Sequence, residues 1–402
     1  NPMKKTRSLL LVLGGIVAIA PFSIDMYLPG FPAIARDLNT DIPTVALSLT
    51  SYFIGIGVGQ IIYGPVIDRF GRKRPLVFGF SLYLVAAIAC ALAPTVEFLI
   101  AMRVLLALGG CVGMVASRAI VRDTFPIREI PRIFSFLMLI MGVAPIVAPT
   151  LGGYFTAQLG WRSIFVFLTL YCIFMLVVIH RALPESRKPD PSRSLRPRNI
   201  AREYKKVFFH PVFRLYSFAG SFSMSGMFAY IAGSPFVYME ILGLTDTQYG
   251  WAFGINAMGL ISGSQLNREV LKKWTSNTIT LIASTSQLLA VATVLGIVLN
   301  GGPHEGIFIG VWLALFFQGF INPNTTANSL APFTRNAGSA SALSGSMAML
   351  IGAFSSYMVS FFFNETAIPM VGVMVASAAL SWGSIILARR LPDHLLENSE
   401  KE

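Results

Sequence analysis

The chain has 402 residues, of which 54% are hydrophobic and 12% are charged, and its mean hydropathy is +0.66. Because soluble globular proteins carry about 25% charged residues, this composition excludes a soluble protein and indicates an integral membrane protein. A net charge of +12 is also typical of nucleic-acid-binding proteins, so the positions of the basic residues have to decide between the two classes.

Apolar runs of about 20 residues recur along the chain, and each is long enough to cross a hydrocarbon core of about 30 Å as a helix. Lipid leaves the backbone of other structures unpaired, and the strands of a closed barrel would alternate polar and apolar residues. We therefore predict an all-α membrane protein with twelve transmembrane helices. The predicted spans are 9–35, 43–66, 75–93, 97–121, 133–157, 162–182, 213–239, 248–267, 277–299, 305–330, 338–363 and 368–390.

The basic residues fall almost entirely on one side of the predicted membrane. Of the 31 Lys and Arg residues, all but four lie at the termini or in alternate connections that share this side. The positive-inside rule therefore predicts that both termini are cytoplasmic. The excess charge reflects this topology, and we do not expect nucleic acid to be a partner. The four exceptions are Arg36, Arg103, Arg118 and Arg162.

The first span contains a carboxylate, Asp25, within the stretch "SIDMYLPGFP" at 23–32. It is the one acidic residue of 19 that the span assignment puts deep in the membrane. A charge at the bilayer centre costs about 2.5–3.5 kcal/mol, so it normally marks an ion pathway or a buried ion pair. We expect Asp25 to carry protons, and a permanent Asp25–Arg pair is the alternative. Met26 and Tyr27 beside it are candidate substrate contacts.

The connection after the second span reads "GPVIDRFGRKRPL" from Gly64 to Leu76. Gly64 permits close helix approach and Gly71 a tight turn, while Asp68 can meet a helix N-terminus or an arginine. This pattern predicts a charged latch at the membrane surface. For the basic residues, fixing the topology is the alternative role. The predicted latch consists of Gly64, Asp68, Arg69, Gly71 and Arg72.

Two arginines lie inside the fourth span. Arg103 is about two turns from its outer end, and Arg118 is about one turn from its inner end. We expect Arg103 to modulate proton exchange, either through Asp25 or through backbone carbonyls. Arg118 is a candidate for the same role, with snorkelling of its side chain to the cytoplasm as the alternative.

The fifth span contains a glycine- and proline-rich run, "MGVAPIVAPTLGG", from Met141 to Gly153. Its glycines allow tight contact with a neighbouring helix, and its prolines each remove a backbone donor and bend the segment. We expect this run to act as a hinge or seal and not to contact substrate directly. The residues concerned are Gly142, Pro145, Pro149, Gly152 and Gly153.

The longest polar stretch runs from Pro184 to Lys206 and divides the spans into six and six. We expect it to be a solvated tether, with a regulatory or lipid-headgroup role as the alternative. The predicted domains are an N-terminal six-helix bundle at 1–182, a cytoplasmic linker at 183–212, and a C-terminal bundle with a short cytoplasmic tail at 213–402. A shift of 199 residues sets Gly263 on Gly64 and Asn267 opposite Asp68, which indicates two related halves.

Polar and aromatic residues in the second half are candidates for a substrate cavity, which should be mostly apolar with a few polar groups. Helix packing is the alternative role for each. As a set they suit flat, partly aromatic amphiphiles, and 16 Met and 31 Phe residues suit an adaptable wall. The candidates are Tyr230, Ser234 and Tyr238 in the seventh span, Asn256 in the eighth, and Gln318, Asn322 and Asn324 in the tenth.

The four His and three Cys residues form no catalytic or metal-binding pattern. The histidines lie at span edges or in loops, and the cysteines lie inside spans without metal-type spacing. We therefore expect no metal, no catalytic residues and no enzymatic activity.

Several of these motifs resemble those of one transporter superfamily. The run from Gly64 to Leu76 resembles the loop signature of the major facilitator superfamily, and two six-helix halves are its architecture. "MGVAPIVAPTLGG" resembles a motif of its drug and antiporter branch. Together with "SIDMYLPGFP", "ASRAIVRD" at 116–123, "YIAGSPFVY" at 230–238 and "INPNTTANSLAPFTRNAGSASAL" at 321–343, these motifs resemble the Bcr/CflA drug-resistance family, which includes bicyclomycin and chloramphenicol/florfenicol exporters.

The resemblance implies a major facilitator fold and a proton-coupled exporter of drug-like molecules in the bacterial inner membrane. It implies alternating access powered by the proton gradient, with no bound cofactor, and a monomer is our default. One departure concerns the fourth helix, where family members often carry Gln or His and then Gly. Here Leu106 and Ala107 stand at those positions, so the polar contribution to coupling does not carry over.

Two other functions are left open by the residues. One is transport of a natural metabolite, such as a peptide fragment, a cysteine-like compound or a sugar, by an exporter or importer of the same fold. The other is a membrane sensor or a lipid-facing enzyme, against which the repeated halves and the missing catalytic pattern argue.

Overall fold

A computed structural model describes residues 2–126, 130–333 and 337–392, and these residues form helices without strands. The helix pattern of the first half follows the apolar runs of the sequence. A 3₁₀ turn at Leu28–Gly30 joins the first two helices. The helices are α1 (Pro2–Asp25), α2 (Phe31–Asp37), α3 (Ile42–Phe70), α4 (Lys73–Ala91), α5 (Val96–Thr124), α6 (Ile130–Leu159) and α7 (Arg162–Ala182).

The second half begins with a short helix that lies inside the predicted linker. Each of the twelve predicted spans contains helix, and residues 393–402 of the predicted tail lie outside the described residues. The helices are α8 (Pro197–Phe208), α9 (Pro211–Ser234), α10 (Asp246–Val270), α11 (Ser276–Leu299), α12 (Glu305–Leu330), α13 (Ala337–Phe361) and α14 (Ile368–Ala388), and a π-helical segment, Pro235–Ile241, follows α9.

In both the first and the seventh predicted span, the α-helix ends before the span does. Pro29 and Pro32 lie in the first turns after α1, where they cannot donate the backbone hydrogen bonds that would continue it. Pro235 likewise begins the π-helical segment after α9. As a result Asp25 is the last residue of α1 and Ser234 the last of α9. Discontinuous helices of this kind are typical of transporter binding sites.

Ten helical stretches of the described chain are long and apolar enough to cross a membrane, with α1 and α2 counting together as one. The two predicted spans outside this set are α9 and α10. Both carry polar side chains that are buried within the protein, including Ser223 and Ser225 on α9 and Asn256 and Asn267 on α10. Polar residues at membrane depth usually face the interior of a helix bundle, so these buried side chains account for the lower hydropathy of the two helices.

The helices pack as two groups. In the first half, α3 packs on α5, α4 on α5 and α7, and α1 on α6; in the second, α9 packs on α13 and α14, and α12 on α10 and α11. Two extended contacts join the groups, α3 with α13 and α6 with α10.

The bundle has two faces, which lie at opposite ends of its helices. We define the terminal face as the one that carries α8 and the end of α14, and the outer face as the one that carries Asp246. At the outer face, α2 contacts the π-helical segment and the Leu28–Gly30 turn contacts α10. The backbones are in direct contact there, because a Cβ at Gly250 would lie 2.6 Å from the Pro149 carbonyl oxygen. The halves are therefore closed at the outer face.

Candidate functional site

Asp25 lies at the centre of the candidate site, at the end of α1 where the helix is interrupted. Its side chain is buried, with a relative exposure of 5%. None of the salt bridges among the described residues involves it. The Leu28–Gly30 turn that follows Asp25 contacts α10, which belongs to the other half. Asp25 therefore lies near the boundary between the halves.

Arg103 is fully buried in α5 and binds backbone carbonyls. Its Nη1 donates to the Ser23 carbonyl at 2.8 Å, and its Nε donates to the Ser48 carbonyl at 3.4 Å. The guanidinium lies between two rings, 4.1 Å from the centroid of Tyr27 and 4.3 Å from that of Tyr52. Arg103 was expected to act either through Asp25 or through backbone carbonyls, and in the structure it contacts carbonyls. One of these belongs to Ser23, two residues before Asp25. The influence of Arg103 on proton exchange stays a prediction.

Arg118 lies far from this centre. It stands 15 positions beyond Arg103 on α5, which is about 22 Å along the helix axis. Its side chain is exposed, and its Nη1 donates to the Ser341 hydroxyl at 3.3 Å on α13. The structure thus brings Arg118 to the other half near the terminal face and not to Asp25. A role in proton coupling stays a prediction for it.

Four of the seven second-half candidates lie in a hydrogen-bonded cluster together with Tyr249. Asn256 donates from Nδ2 to the hydroxyl oxygens of Tyr238 at 2.8 Å and Tyr230 at 3.1 Å. The hydroxyls of Ser234 and Tyr249 are 2.7 Å apart. All five side chains are buried, with exposures of 1% or less. We call these residues the tyrosine cluster: Tyr230, Ser234, Tyr238, Tyr249 and Asn256.

Aromatic stacking completes the tyrosine cluster. The Tyr230 ring stacks on Phe253 with centroids 5.5 Å apart, and Tyr249 lies 6.0 Å from the same ring. Sequence reasoning missed Tyr249 and Phe253. Their spacing relative to Asn256 was the available signal, because positions 249, 253 and 256 share one face of a helix. It also missed Tyr52, whose contact with Arg103 is not visible in the sequence.

Other predicted substrate residues lie elsewhere. Met26 packs its backbone under Gly152, where a Cβ would collide with the Met26 carbonyl. The Tyr27 hydroxyl is 2.8 Å from that of Ser48, and its ring faces Arg103. Both residues are buried in the first half.

The three candidates on α12 are spread toward the terminal face. Gln318 points its Nε2 at the Met227 sulfur at 3.7 Å, and Asn324 donates to Oδ1 of Asn267 at 2.9 Å. Asn322 is half-buried. The structure therefore does not bring them to the tyrosine cluster, and their contact with substrate stays a prediction.

The predicted latch is a network around Arg72, which is 3% exposed. Arg72 donates to Asp68 at 2.9 Å and to Asp123 at 2.7 Å. Gly71, at a φ of +84°, makes the turn, and its backbone lies close to the carboxylate of Glu185. The arginine that Asp68 meets is thus in its own loop. All these contacts lie within the first half and the linker.

Two further latch residues contact the linker. Arg69 donates from Nη1 to the Arg193 carbonyl at 2.7 Å. The hydroxyl of Tyr204 lies 3.7 Å from the position of a Cβ at Gly64. The linker therefore packs on the latch at these points, while most of its residues are exposed, and its role as a tether stays a prediction.

The fifth-span motif forms the contact between α6 and α10. A Cβ at Gly153 would collide with the Asp246 carbonyl, and one at Gly142 would meet the Ile261 side chain at 3.6 Å. Pro145 and Pro149 lie inside α6 without ending it, and the Pro149 carbonyl faces Gly250. The motif thus lies at the junction of the halves, and its action as a hinge or seal stays a prediction.

Comparison with known proteins defines the class. The family model described as Major Facilitator Superfamily matches residues 13–356. Solved structures agree: a D-xylose-proton symporter has a TM-score of 0.72 at 14% identity, covering 93% of this chain and 96% of its own. A bacterial homologue of the lysosomal transporter Spinster, inward-facing and occupied, has a TM-score of 0.71 at 14% identity, covering 96% and 97%. The chain belongs to the major facilitator superfamily, so it is a multi-pass membrane transporter and not an enzyme.

Relatives of known sequence narrow this class. The chain is 34% identical to an uncharacterized MFS-type transporter, YdgK, of Bacillus subtilis, over 99% of both chains. It is 31% identical to a bicyclomycin resistance protein homologue of Haemophilus influenzae, over 95% of this chain and 96% of the relative. A chloramphenicol resistance protein of Pseudomonas aeruginosa is 28% identical over 94% and 90%. These relatives confirm the resemblance to the Bcr/CflA family and the predicted fold class.

Proposed function

We propose that this transporter exports amphiphilic, drug-like molecules across the bacterial inner membrane in exchange for protons, with Asp25 as the proton carrier. The observation that carries the proposal is the position of Asp25. It is buried at an interrupted helix end, has no salt bridge among the described residues, and lies just before the Leu28–Gly30 turn, which contacts α10 of the other half. The relatives named for bicyclomycin and chloramphenicol resistance support drug-like cargo.

Asp25 is suited to gain and lose a proton, because its carboxyl group is buried and has no salt bridge among the described residues. A buried carboxylate without a cationic partner is stabilised by protonation, and contact with water reverses this preference. The end of α1 adds to the effect, because the C-terminal end of a helix carries partial negative charge. Alternating exposure of Asp25 to the two sides of the membrane is therefore enough to couple its protonation to the cycle.

In the proposed cycle, Asp25 is deprotonated when the cavity is open to the cytoplasm, and cargo enters. Opening to the exterior exposes Asp25 to a higher proton concentration, so it takes a proton as cargo leaves. Return of the protonated carrier moves one positive charge inward, which releases about 2.3 kcal/mol per 100 mV of membrane potential. A single carboxylate predicts one proton per cycle, and we propose a monomer with cytoplasmic termini and no bound cofactor.

The tyrosine cluster supplies the groups that would meet cargo. Its rings offer flat apolar surfaces, and Asn256 leaves Oδ1 without a hydrogen-bond partner among the described residues. Cargo that lies between this cluster and Asp25 would contact both halves. Movement of the halves would then depend on both cargo and proton.

The test is proton flux in proteoliposomes with an imposed pH gradient. Phenicols, bicyclomycin, quinolones and lipophilic cations are added in turn while lumenal pH is recorded. We expect cargo-triggered proton flux from the wild type and none from Asp25→Asn. Asp37→Asn is the matched control, because Asp37 is an exposed carboxylate of the same span. Uphill export with proton release by Asp25→Asn would contradict the proposed carrier.

A further inference from the structure

The linker helix α8 has two distinct faces. Positions 200, 204, 207 and 208 are buried or half-buried, and they recur at the spacing of one helix face. The opposite face carries four basic side chains, all exposed. They are Arg198, Arg202, Lys205 and Lys206.

The apolar face of α8 is held on the protein by contacts with both halves. The Tyr204 hydroxyl donates to the Ile61 carbonyl of α3 at 3.2 Å. Glu203 accepts a hydrogen bond from the Ser339 hydroxyl of α13 at 2.5 Å. Val207 is buried in a cluster with Phe213 of α9. The orientation of the basic face is therefore fixed, and it points away from the protein.

The basic face has no counter-charge among the described residues. None of the salt bridges found in that part of the chain includes its four residues. The one acidic residue of α8, Glu203, is bound to Ser339. Within the described ranges, four fixed positive charges on one helix face thus lack an anionic partner.

The surroundings of α8 are those of a membrane surface. The helix joins the ends of two transmembrane helices, α7 and α9, so it lies at the level where they leave the lipid. Phe209, the next residue, is 58% exposed, and the ammonium of Lys205 lies 6.0 Å from its ring centroid. Exposed aromatic rings beside basic side chains are typical of the interface between lipid tails and headgroups.

We propose that the basic face of α8 binds anionic lipid headgroups of the leaflet at the terminal face. The positive charges complement phosphate groups, and Phe209 inserts at the adjacent acyl boundary. Because α8 contacts α3 and α13, the bound lipids act on both halves of the transporter at once. The inference does not depend on the nature of the cargo or on Asp25.

The test measures thermal stability of the full chain in an uncharged detergent while phosphatidylglycerol is added, with phosphatidylcholine as the uncharged comparison. The α8 variant combines Arg198→Gln, Arg202→Gln and Lys205→Gln. The matched variant combines Arg268→Gln, Lys272→Gln and Lys273→Gln, which removes the same charge from exposed positions in the last turn of α10 and the connection after it. We expect phosphatidylglycerol to stabilise the wild type and the matched variant, and its apparent affinity for the α8 variant to fall about tenfold.

Equal responses of the two variants to phosphatidylglycerol would overturn the proposal. Inorganic phosphate is added in a parallel series. If phosphate stabilises the protein as much as the lipid does, the ligand is a free anion and the proposed binding of lipid headgroups is wrong. A second measurement avoids the triple variant. A fluorophore on Ala201→Cys, an exposed site of α8, should be quenched more by headgroup-labelled phosphatidylglycerol than by headgroup-labelled phosphatidylcholine in bilayers, and equal quenching would also contradict the proposal.

Discussion

The two halves of this transporter share an architecture but differ in the chemistry of their buried polar groups. In the first half these groups include two charged side chains, Asp25 and Arg103, beside neutral hydroxyls such as that of Ser48. In the second half the corresponding interior contains neutral hydroxyls and amides, of which Asn256 with its two tyrosines is the centre. A buried charge responds to protons and to membrane potential, whereas a neutral amide responds to the shape and hydrogen bonds of what it touches. In the proposed cycle, the first half therefore responds to protons and the second half to cargo.

The same contrast occurs near the terminal face. The end of α3 meets α5 through Asp68, Arg72 and Asp123. The matching helices of the second half, α10 and α12, meet through Asn267 and Asn324. The shift of 199 residues that sets Asn267 opposite Asp68 therefore connects two sites with equal positions and different chemistry. Each site joins two helices, but only the contribution of the first, charged site to stability will depend on salt concentration.

The largest effect is expected from Arg103→Ala, which breaks the charged interior of the first half. The change leaves the carbonyls of Ser23 and Ser48 without their donor and removes a guanidinium from between two rings. Loss of buried, charge-assisted hydrogen bonds costs about 3 kcal/mol of folding free energy. We also expect the ratio of protons to exported cargo to fall, because the end of α1 that carries Asp25 is no longer held.

Arg162→Ala is the control for Arg103→Ala. Arg162 also stacks on an aromatic ring, 4.3 Å from the Trp161 centroid, and donates to the Ala91 and Ala93 carbonyls, but its side chain is 40% exposed. Because water can replace these contacts, Arg162→Ala should cost less stability than Arg103→Ala and should leave the proton-to-cargo ratio unchanged. A normal ratio in folded Arg103→Ala would rule out the role proposed for Arg103, and the division between the halves would lose half of its support.

Much of the fold was predictable because hydropathy and charge asymmetry are strong constraints in a membrane protein. All twelve spans were located, including α9 and α10, whose buried serines and asparagines lower their hydropathy. The burial of Asp25 was also predictable, because the acid lies within a long apolar run, while its role as proton carrier stays a prediction.

The partners of these residues were less predictable, because they depend on which helices pack together. Sequence reasoning left two possible partners for Arg103, Asp25 or backbone carbonyls, and only the packing of α5 against α1 and α3 selects the carbonyls. The candidates on α12 point toward the terminal face, although their composition resembles that of the tyrosine cluster. Residue type suggests a polar site, but helix rotation decides which residues share it.

Asn256→Ala tests the second half of the transporter, and we expect it to have a smaller effect, which is on the affinity for cargo. The change removes two hydrogen bonds and leaves the Tyr230 and Tyr238 hydroxyls without that partner. We expect the dissociation constant for cargo to rise about tenfold, which is about 1.4 kcal/mol, while the proton-to-cargo ratio stays normal. Binding is measured by equilibrium titration with a fluorescent cargo, and coupling by the liposome assay.

The control for Asn256→Ala is Asn300→Ala, at an exposed amide just after α11. Both measurements should be unchanged in that variant. If Asn256→Ala instead alters the coupling ratio at normal affinity, the second half takes part in proton handling, and the proposed division between the halves is wrong.

The smallest effect concerns the matched pair of sites near the terminal face. Arg72→Gln removes a buried cation from between two carboxylates that are themselves partly exposed. Because solvent screens such pairs, we expect a loss of about 1 kcal/mol in about 0.05 M salt that shrinks in about 1 M salt. Asn267→Ala should cost a similar amount at both salt concentrations, because the hydrogen bond to Asn324 is neutral.

Thermal unfolding in an uncharged detergent at the two salt concentrations checks both changes. Lys272→Gln is the control, since its pair with Glu269 is exposed and its loss should not be measurable. The informative quantity is the difference between the variants, because salt also acts on the wild type. If Arg72→Gln and Asn267→Ala respond to salt alike, the two sites are equivalent packing contacts. The role of Arg72 and the other basic residues of this loop would then be to fix the membrane topology, which is the alternative stated for them above.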